Sequence, residues 1–114
     1  MLMHIVDETD QRLIAALRRS GAARIVAADI ADLPLRCATQ MGADETINLR
    51  SHATELDKYK ADKGHFDAVF EASGSQAALL AALDVIAPRG VLVTVGLGGD
   101  ISLPMNQIVA KEVD

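Results

Sequence analysis

Arg24-Ile25-Val26-Ala27-Ala28-Asp29 is the stretch that decides the fold. A short, unbroken apolar run bounded by charge reads as a strand buried on both faces, as strands of a parallel sheet are. Upstream, residues 11–20 carry Leu13, Ile14 and Leu17 at helical spacing, with Gly21 as the stop. Downstream, residues 33–41 place Leu35, Ala38 and Met41 on one helix face and stop at Gly42. Residues 45–48 read as a short strand. Residues 51–63 read as a polar helix with Leu56 and Tyr59 turned inward and Ser51 as N-cap. Residues 66–71 (F-D-A-V-F-E) give the next strand. Gly74-Ser75 then opens a helix carrying Leu79, Leu80, Leu83 and Ile86, stopped by Pro88 and Gly90. Residues 91–95 (V-L-V-T-V) are the strongest strand in the chain, and residues 104–111 predict one more short helix. Strands alternating with helices imply right-handed βαβ units. The expected fold is therefore α/β, a Rossmann-like doubly wound parallel sheet in a single domain.

Composition narrows the possibilities. The chain has 114 residues, half of them apolar, and its only aromatic residues are Tyr59, Phe66 and Phe70. The core is therefore expected to be aliphatic and alanine-rich. A net charge of −5 argues against a nucleic-acid surface. No apolar run is long enough to span a membrane. Cys37 stands alone and cannot form an internal disulfide, which makes a reducing cytoplasm the expected location. His4, His52 and His65 are not spaced with Cys37 or a carboxylate as metal ligands are, so neither a metal site nor a catalytic constellation is expected.

In doubly wound sheets, ligands bind beyond the carboxyl ends of the strands, where strand order reverses. Three places qualify. Asp29 ends its strand where an acid can accept hydrogen bonds from an adenosine ribose, although it reads equally well as an ordinary turn residue. An acid there would repel a 2′-phosphate and so favours NAD over NADP. The turns Glu71-Ala72-Ser73-Gly74-Ser75 and Val95-Gly96-Leu97-Gly98-Gly99 offer small residues that let a ligand approach the backbone. Each is equally an ordinary connection, the first with Ser75 as a helix cap.

Four stretches taken together go further: A-A-L-R-R-S-G-A-A-R-I-V-A-A-D (residues 15–29), Q-M-G-A-D (40–44), F-D-A-V-F-E-A-S-G (66–74) and R-G-V-L-V-T-V-G-L-G-G (89–99). In this order they resemble the cofactor domain of the zinc-dependent medium-chain dehydrogenases, in the polyol and sugar-acid branch. P-M-N-Q-I-V-A-K-E (104–112) resembles the segment leading into that family's sixth strand. The resemblance implies that Asp29 binds the adenosine ribose of NAD. It places Ala72, Ser73 and Gly74 along the cofactor's middle, and Val95, Gly96 and Leu97 at its nicotinamide end. An arginine that often flanks the adenine in the family is replaced here by Pro34.

Two departures accompany the resemblance. The family's catalytic domain, which holds its zinc ligands, and its sixth strand are both expected to be missing, so the sheet is expected to be incomplete. The family's three phosphate-binding glycines, counted back from Gly21, fall at Ile5, Asp7 and Asp10, in an atypical segment, residues 1–10. The implied function is that of an NAD-dependent oxidoreductase fragment, from a family that transfers hydride between NAD and a secondary alcohol, polyol or sugar acid. The chain alone is expected to be inactive. The alternatives are a non-catalytic remnant that only self-associates and a methyltransferase-like Rossmann enzyme. The latter would need a glycine-rich turn after its first strand.

Two structural expectations follow. Residues 2–6 should fill the central slot of the sheet, with residues 7–10 turning into the helix. Residues 91–95, lacking an outer neighbour, should form a flat edge that favours homo-oligomers.

Overall fold

A computed structural model describes residues 2–4, 8–71, 75–94, 100 and 102–114. The chain runs β1 (Leu2–His4), α1 (Glu8–Arg19), β2 (Val26–Asp29), α2 (Asp32–Gln40), β3 (Glu45–Asn48), a 3-10 helix (Ala53–Lys63), β4 (Phe66–Glu71), α3 (Gln76–Val85), β5 (Ile86–Thr94) and α4 (Met105–Lys111). The strands form one sheet in the order β3-β2-β1-β4-β5, and every neighbouring pair is parallel. The central slot is filled as expected. Leu2, Met3 and His4 stand opposite Val26, Ala27 and Ala28 on one side and Val69, Phe70 and Glu71 on the other. Ile5, Val6 and Asp7 lie outside the described residues. Glu8, Thr9 and Asp10 belong to α1 rather than to a turn. Acidic residues in a first helical turn complement the helix dipole, which accounts for the early start.

All of β2 is buried, as its apolar run predicts, and its side chains alternate between two cores. Val26 and Ala28 pack with Ile47, Leu56, Tyr59, Phe66, Val69 and Val85. That layer lies under the 3-10 helix and α3. Ala27 packs with Ile14, Ile25, Leu35 and Ala38, under α1 and α2. Covering both faces is what a parallel sheet requires.

The structure corrects several details. Met41 and Leu80 are 38% and 40% exposed; Met41 lies past the last residue of α2, as its C-cap. Ile86 is buried but belongs to β5, not to the preceding helix. It pairs with Phe66 before the register jumps to Ala68 opposite Val91, so Pro88 and Gly90 lie in that irregularity. Segment 51–63 is a 3-10 helix from Ala53, interrupted at Ala61 and Asp62, and His52 occupies its N-cap. Ser51 does not cap it. Asn48 Oδ1 instead accepts the N–H groups of Arg50 and Ser51, at 2.9 and 3.2 Å, and closes the turn before the helix.

Polar ties gather at the amino ends of the strands. Helices α1 and α2 end alike: Gly21 and Ala22 donate to the carbonyls of Arg18 and Leu17, and Gly42 and Ala43 to those of Thr39 and Ala38. This is the paired closure of a Schellman motif. Arg18 joins the two ends, donating to the Ala22 and Gly42 carbonyls and to Asp44. Asp44 also accepts the Ile25 N–H at 2.8 Å. The Arg18 hydrogen bond, followed by the Ile25 N–H, holds the Asp44 carboxyl below the usual carboxylate range. Burial pushes the neighbouring Glu45 up, but hydrogen bonds from Lys58, Tyr59 and Arg24 outweigh it, and the net shift is downward.

On the far side of β5, Asp114 donates to the Gly90 carbonyl and accepts from the Leu92 N–H, at 3.0 and 2.8 Å. This is the pattern of a parallel pair opposite Val91. The β5 edge is therefore partly paired rather than bare.

Two predictions follow. Gly64 leaves the 3-10 helix at φ +120°, and a Cβ there would lie 2.0 Å from the Ile86 carbonyl oxygen. Gly64→Ala should lower the unfolding free energy by roughly 3 kcal/mol in denaturant titration. Asp44 and Glu45 have folded pKa values below their unfolded ones. Their contribution is complete above the ordinary carboxylate range and is lost as pH falls through it. The acid-side decline in stability should therefore be shallower in Asp44→Asn than in the wild type when both are unfolded at neutral and acidic pH.

Candidate functional site

Strand order reverses at β1: β2 lies on one side and β4 on the other. The crevice beyond the carboxyl ends of these strands is where this architecture places a ligand. Asp29 closes β2 at its rim. The residue is 6% exposed. Its Oδ1 accepts the N–H of Ile30 at 2.6 Å, and its carbonyl accepts the N–H of Leu49 at 2.8 Å. Oδ2 makes no hydrogen bond among the described residues. A nearly buried carboxylate oxygen without a partner is costly unless a ligand hydroxyl reaches it. Ile30, beside it, keeps half of its surface exposed.

An apolar depression adjoins Asp29, walled by Ala28, Leu49, Leu56, Val69, Ala78 and Ala81. Phe70 and Glu71, at the carboxyl end of β4, also line it. Asp29 does not line it but is joined to it through two neighbours. Ala28 precedes it in β2, and Leu49 is hydrogen-bonded to its carbonyl. Alanines on one side and leucines on the other give this shallow depression apolar walls. The residue reading found Asp29 but missed this slot. Leu49 follows β3, and Ala78 and Ala81 sit on α3, so only the folded sheet brings them together.

A larger groove of about 450 Å³ runs along β3 between α2 and the 3-10 helix, lined among others by Asp32, Arg36, His52 and Glu55. It carries charges of both signs and lies on the outer edge of the sheet. The crevice beside Asp29 has the better placement for a ligand.

Ala72, Ser73, Gly74, Val95, Gly96 and Leu97 lie outside the described residues. Their flanks are defined. Glu71 ends β4 and is 2% exposed, and Thr94 ends β5. Ser75 caps α3, its Oγ accepting the Ala78 N–H at 3.3 Å. Among the described residues, no group of three or more His, Cys, Asp or Glu side chains could hold a metal ion. The zinc that the resemblance implies finds no ligand set among them.

Comparison with known proteins agrees with this architecture. Residues 11–114 match the family model described as zinc-binding dehydrogenase. L-idonate 5-dehydrogenase (NAD(P)(+)) of Escherichia coli K12 is 38% identical over 102 residues, which are 89% of this chain and 29% of that protein. Sorbitol dehydrogenase of Bacillus subtilis is 34% identical over 105 residues, 89% of this chain and 30% of that one. The crystal structure of the Escherichia coli L-idonate 5-dehydrogenase superposes with a TM-score of 0.93 at 35% identity, covering 99% of this chain and 32% of the other. The chain thus spans less than a third of the length of these relatives. On the match across residues 11–114 and the superposition, this chain belongs to the zinc-binding, medium-chain dehydrogenase family.

Proposed function

We propose that this chain binds the adenosine half of NAD beyond the carboxyl ends of β2 and β4, as the cofactor-binding part of an enzyme oxidising a secondary alcohol, polyol or sugar acid. The observation that carries the reading is Asp29 beside an apolar slot. The ribose hydroxyls would donate to the Asp29 carboxylate, and the adenine would enter the slot between Leu49 and Ala78. NAD, when bound, supplies the hydride acceptor, while the protein supplies position and electrostatics. Ala72–Gly74 and Val95–Leu97 are assigned to the middle and nicotinamide end by resemblance. The carboxylate favours NAD over a cofactor bearing a 2′-phosphate. The unpaired thiol of Cys37 suits a reducing, cytoplasmic setting.

Affinity is set by the pyrophosphate. A glycine loop normally offers it backbone N–H groups at a helix N-terminus. In the sequence Asp7, Glu8 and Asp10 occupy the corresponding stretch, and Glu8 and Asp10 fall in the first turn of α1. A carboxylate about 5 Å from a phosphate charge costs roughly 3 kcal/mol at an effective dielectric near 20. Titration calorimetry should therefore give millimolar affinity for NAD, and a dissociation constant below about 50 micromolar would overturn this argument. Replacing the three acids with neutral residues should tighten binding by more than about tenfold. Asp29→Ala should weaken AMP binding by about tenfold, since a hydrogen bond to a charged group contributes roughly 1.5–3 kcal/mol. Equal AMP affinity in the two proteins would remove Asp29 from the site.

Self-association is a second reading, favoured by the outer face of the sheet. Val91, Met105 and Val109 are 41%, 58% and 70% exposed, and Asp114 pairs with only part of the β5 edge. Exposed apolar side chains beside a partly open strand favour pairing with a second copy. Light scattering at tens of micromolar should report a mass above that of the monomer; a clean monomer would exclude it.

A further inference from the structure

We infer that the 3-10 helix, Ala53–Lys63, is a strap that opens and closes independently of the rest of the fold, that Glu45 is its latch, and that its closure completes the apolar depression beside Asp29. The last part rests on the proposed adenosine reading; the opening itself does not. The helix holds itself poorly. Hydrogen bonds of a 3-10 helix have poorer geometry than those of an α-helix, and runs beyond three or four residues are uncommon. This one spans 11 residues, has no side-chain cap at His52 and is broken at Ala61 and Asp62. The chain leaves it through three successive residues in left-handed backbone, Asp62, Lys63 and Gly64, at φ 55°, 70° and 120°. Two of these carry side chains, and such strain persists only where surrounding contacts impose it.

Those contacts are few. Leu56 and Tyr59 are buried, whereas Thr54, Glu55, Asp57, Lys58 and Lys60 are exposed. Polar ties from the strap converge on one carboxylate. Lys58 Nζ donates to Glu45 Oε1 at 2.7 Å, and the Tyr59 hydroxyl donates to Oε2. Glu45 opens β3, and Arg24, just ahead of β2, steadies it from the other side at 2.8 Å. Both ends of the strap are pinned. The His52 N–H donates to the Asn48 carbonyl at 2.8 Å, and the His65 N–H to the Val85 carbonyl at 2.7 Å. A segment pinned at both ends, weak in its own hydrogen bonds and closed by two side chains and one carboxylate, opens at a lower free energy than the whole fold. Opening withdraws Leu56, which walls the depression together with Leu49 and Ala78. A ligand held in the depression therefore meets a complete wall only in the closed form, and favours that form by the difference in contact.

Hydrogen exchange of the full chain, followed by NMR at neutral pH, tests the inference. After correction for intrinsic rates, the amides of residues 55–60 should share one opening equilibrium and exchange about tenfold or more faster than those of β2 and β4. Glu45→Gln removes the charge that Lys58 and Tyr59 meet and should speed strap exchange about fivefold. Lys58→Met removes one exposed partner and should speed it about twofold. Arg18→Met breaks the tie to Asp44, which stays intact when the strap opens. It should therefore speed exchange in β2 and β4 and leave the strap's rate alone. AMP at about ten times its dissociation constant should slow strap exchange about tenfold. Equal protection of strap and strands in the wild type overturns the inference, as does equal acceleration of both by Arg18→Met. Strap exchange unmoved by Glu45→Gln removes the latch. Bound AMP that leaves strap exchange unchanged overturns the link to the depression. Absence of AMP binding refutes the adenosine reading, and exchange in the ligand-free chain then decides the strap by itself.

Discussion

Three residues, Leu2–His4, supply the hydrogen-bonding neighbour for both β2 and β4. A buried backbone donor or acceptor without a partner costs free energy comparable to a lost hydrogen bond. Without β1 the two halves of the sheet would face each other across an empty slot. With it, strand order runs outward in both directions from one line. That line places Asp29 on one side and the ends of β4 and β5 on the other, so the same short strand that completes the sheet also creates the crevice.

The two ends of the sheet do different work. At the amino ends, Arg18 and Asp44 join the close of α1 to the close of α2, and Glu45 gathers Arg24, Lys58 and Tyr59. Tyr59 in turn stacks on His65 and Phe66, with ring centroids 5.0 and 4.6 Å away. Polar groups there are paired with one another. At the carboxyl ends, Asp29 keeps an oxygen without a partner among the described residues, beside apolar walls. This contrast also accounts for the residues that carry the family likeness. Arg18, Gly42 and Asp44, within two of the matching stretches, act on the architecture, while Asp29 is the residue proposed to meet the ligand.

Hydrogen bonds also make up for sparse packing on the outer side. Helix α4 buries none of its residues, yet Gln107 and Lys111 tie it to the carbonyls that end α3. A cation is favourable at the negative end of a helix dipole. Ser102, ahead of α4, is tied to Gln76 in the same manner. Substitutions in this region should therefore act through a few named contacts rather than through a shared core.

The sequence alone determined the alternation of strands and helices, because an apolar run and a helical stripe have different periods and both were unmistakable in residues 11–48 and 66–94. It also determined the stops at Gly21 and Gly42 and the position of Asp29 at a strand end, all of which depend on local pattern. Tertiary structure decided the rest. Segment 51–63 has no apolar stripe strong enough to choose between helix types; it folds from Ala53 as a 3-10 helix with Leu56 and Tyr59 buried. Leu80 and Met41 carry the residue type of a core, but Leu80 is 40% exposed and Met41 caps α2 from outside the helix. Leu49, Ala78 and Ala81 share the slot beside Asp29, and Gln76 reaches Ser102 across 26 positions of sequence. No local period encodes such meetings; they exist because a parallel sheet brings the ends of non-adjacent strands to one rim.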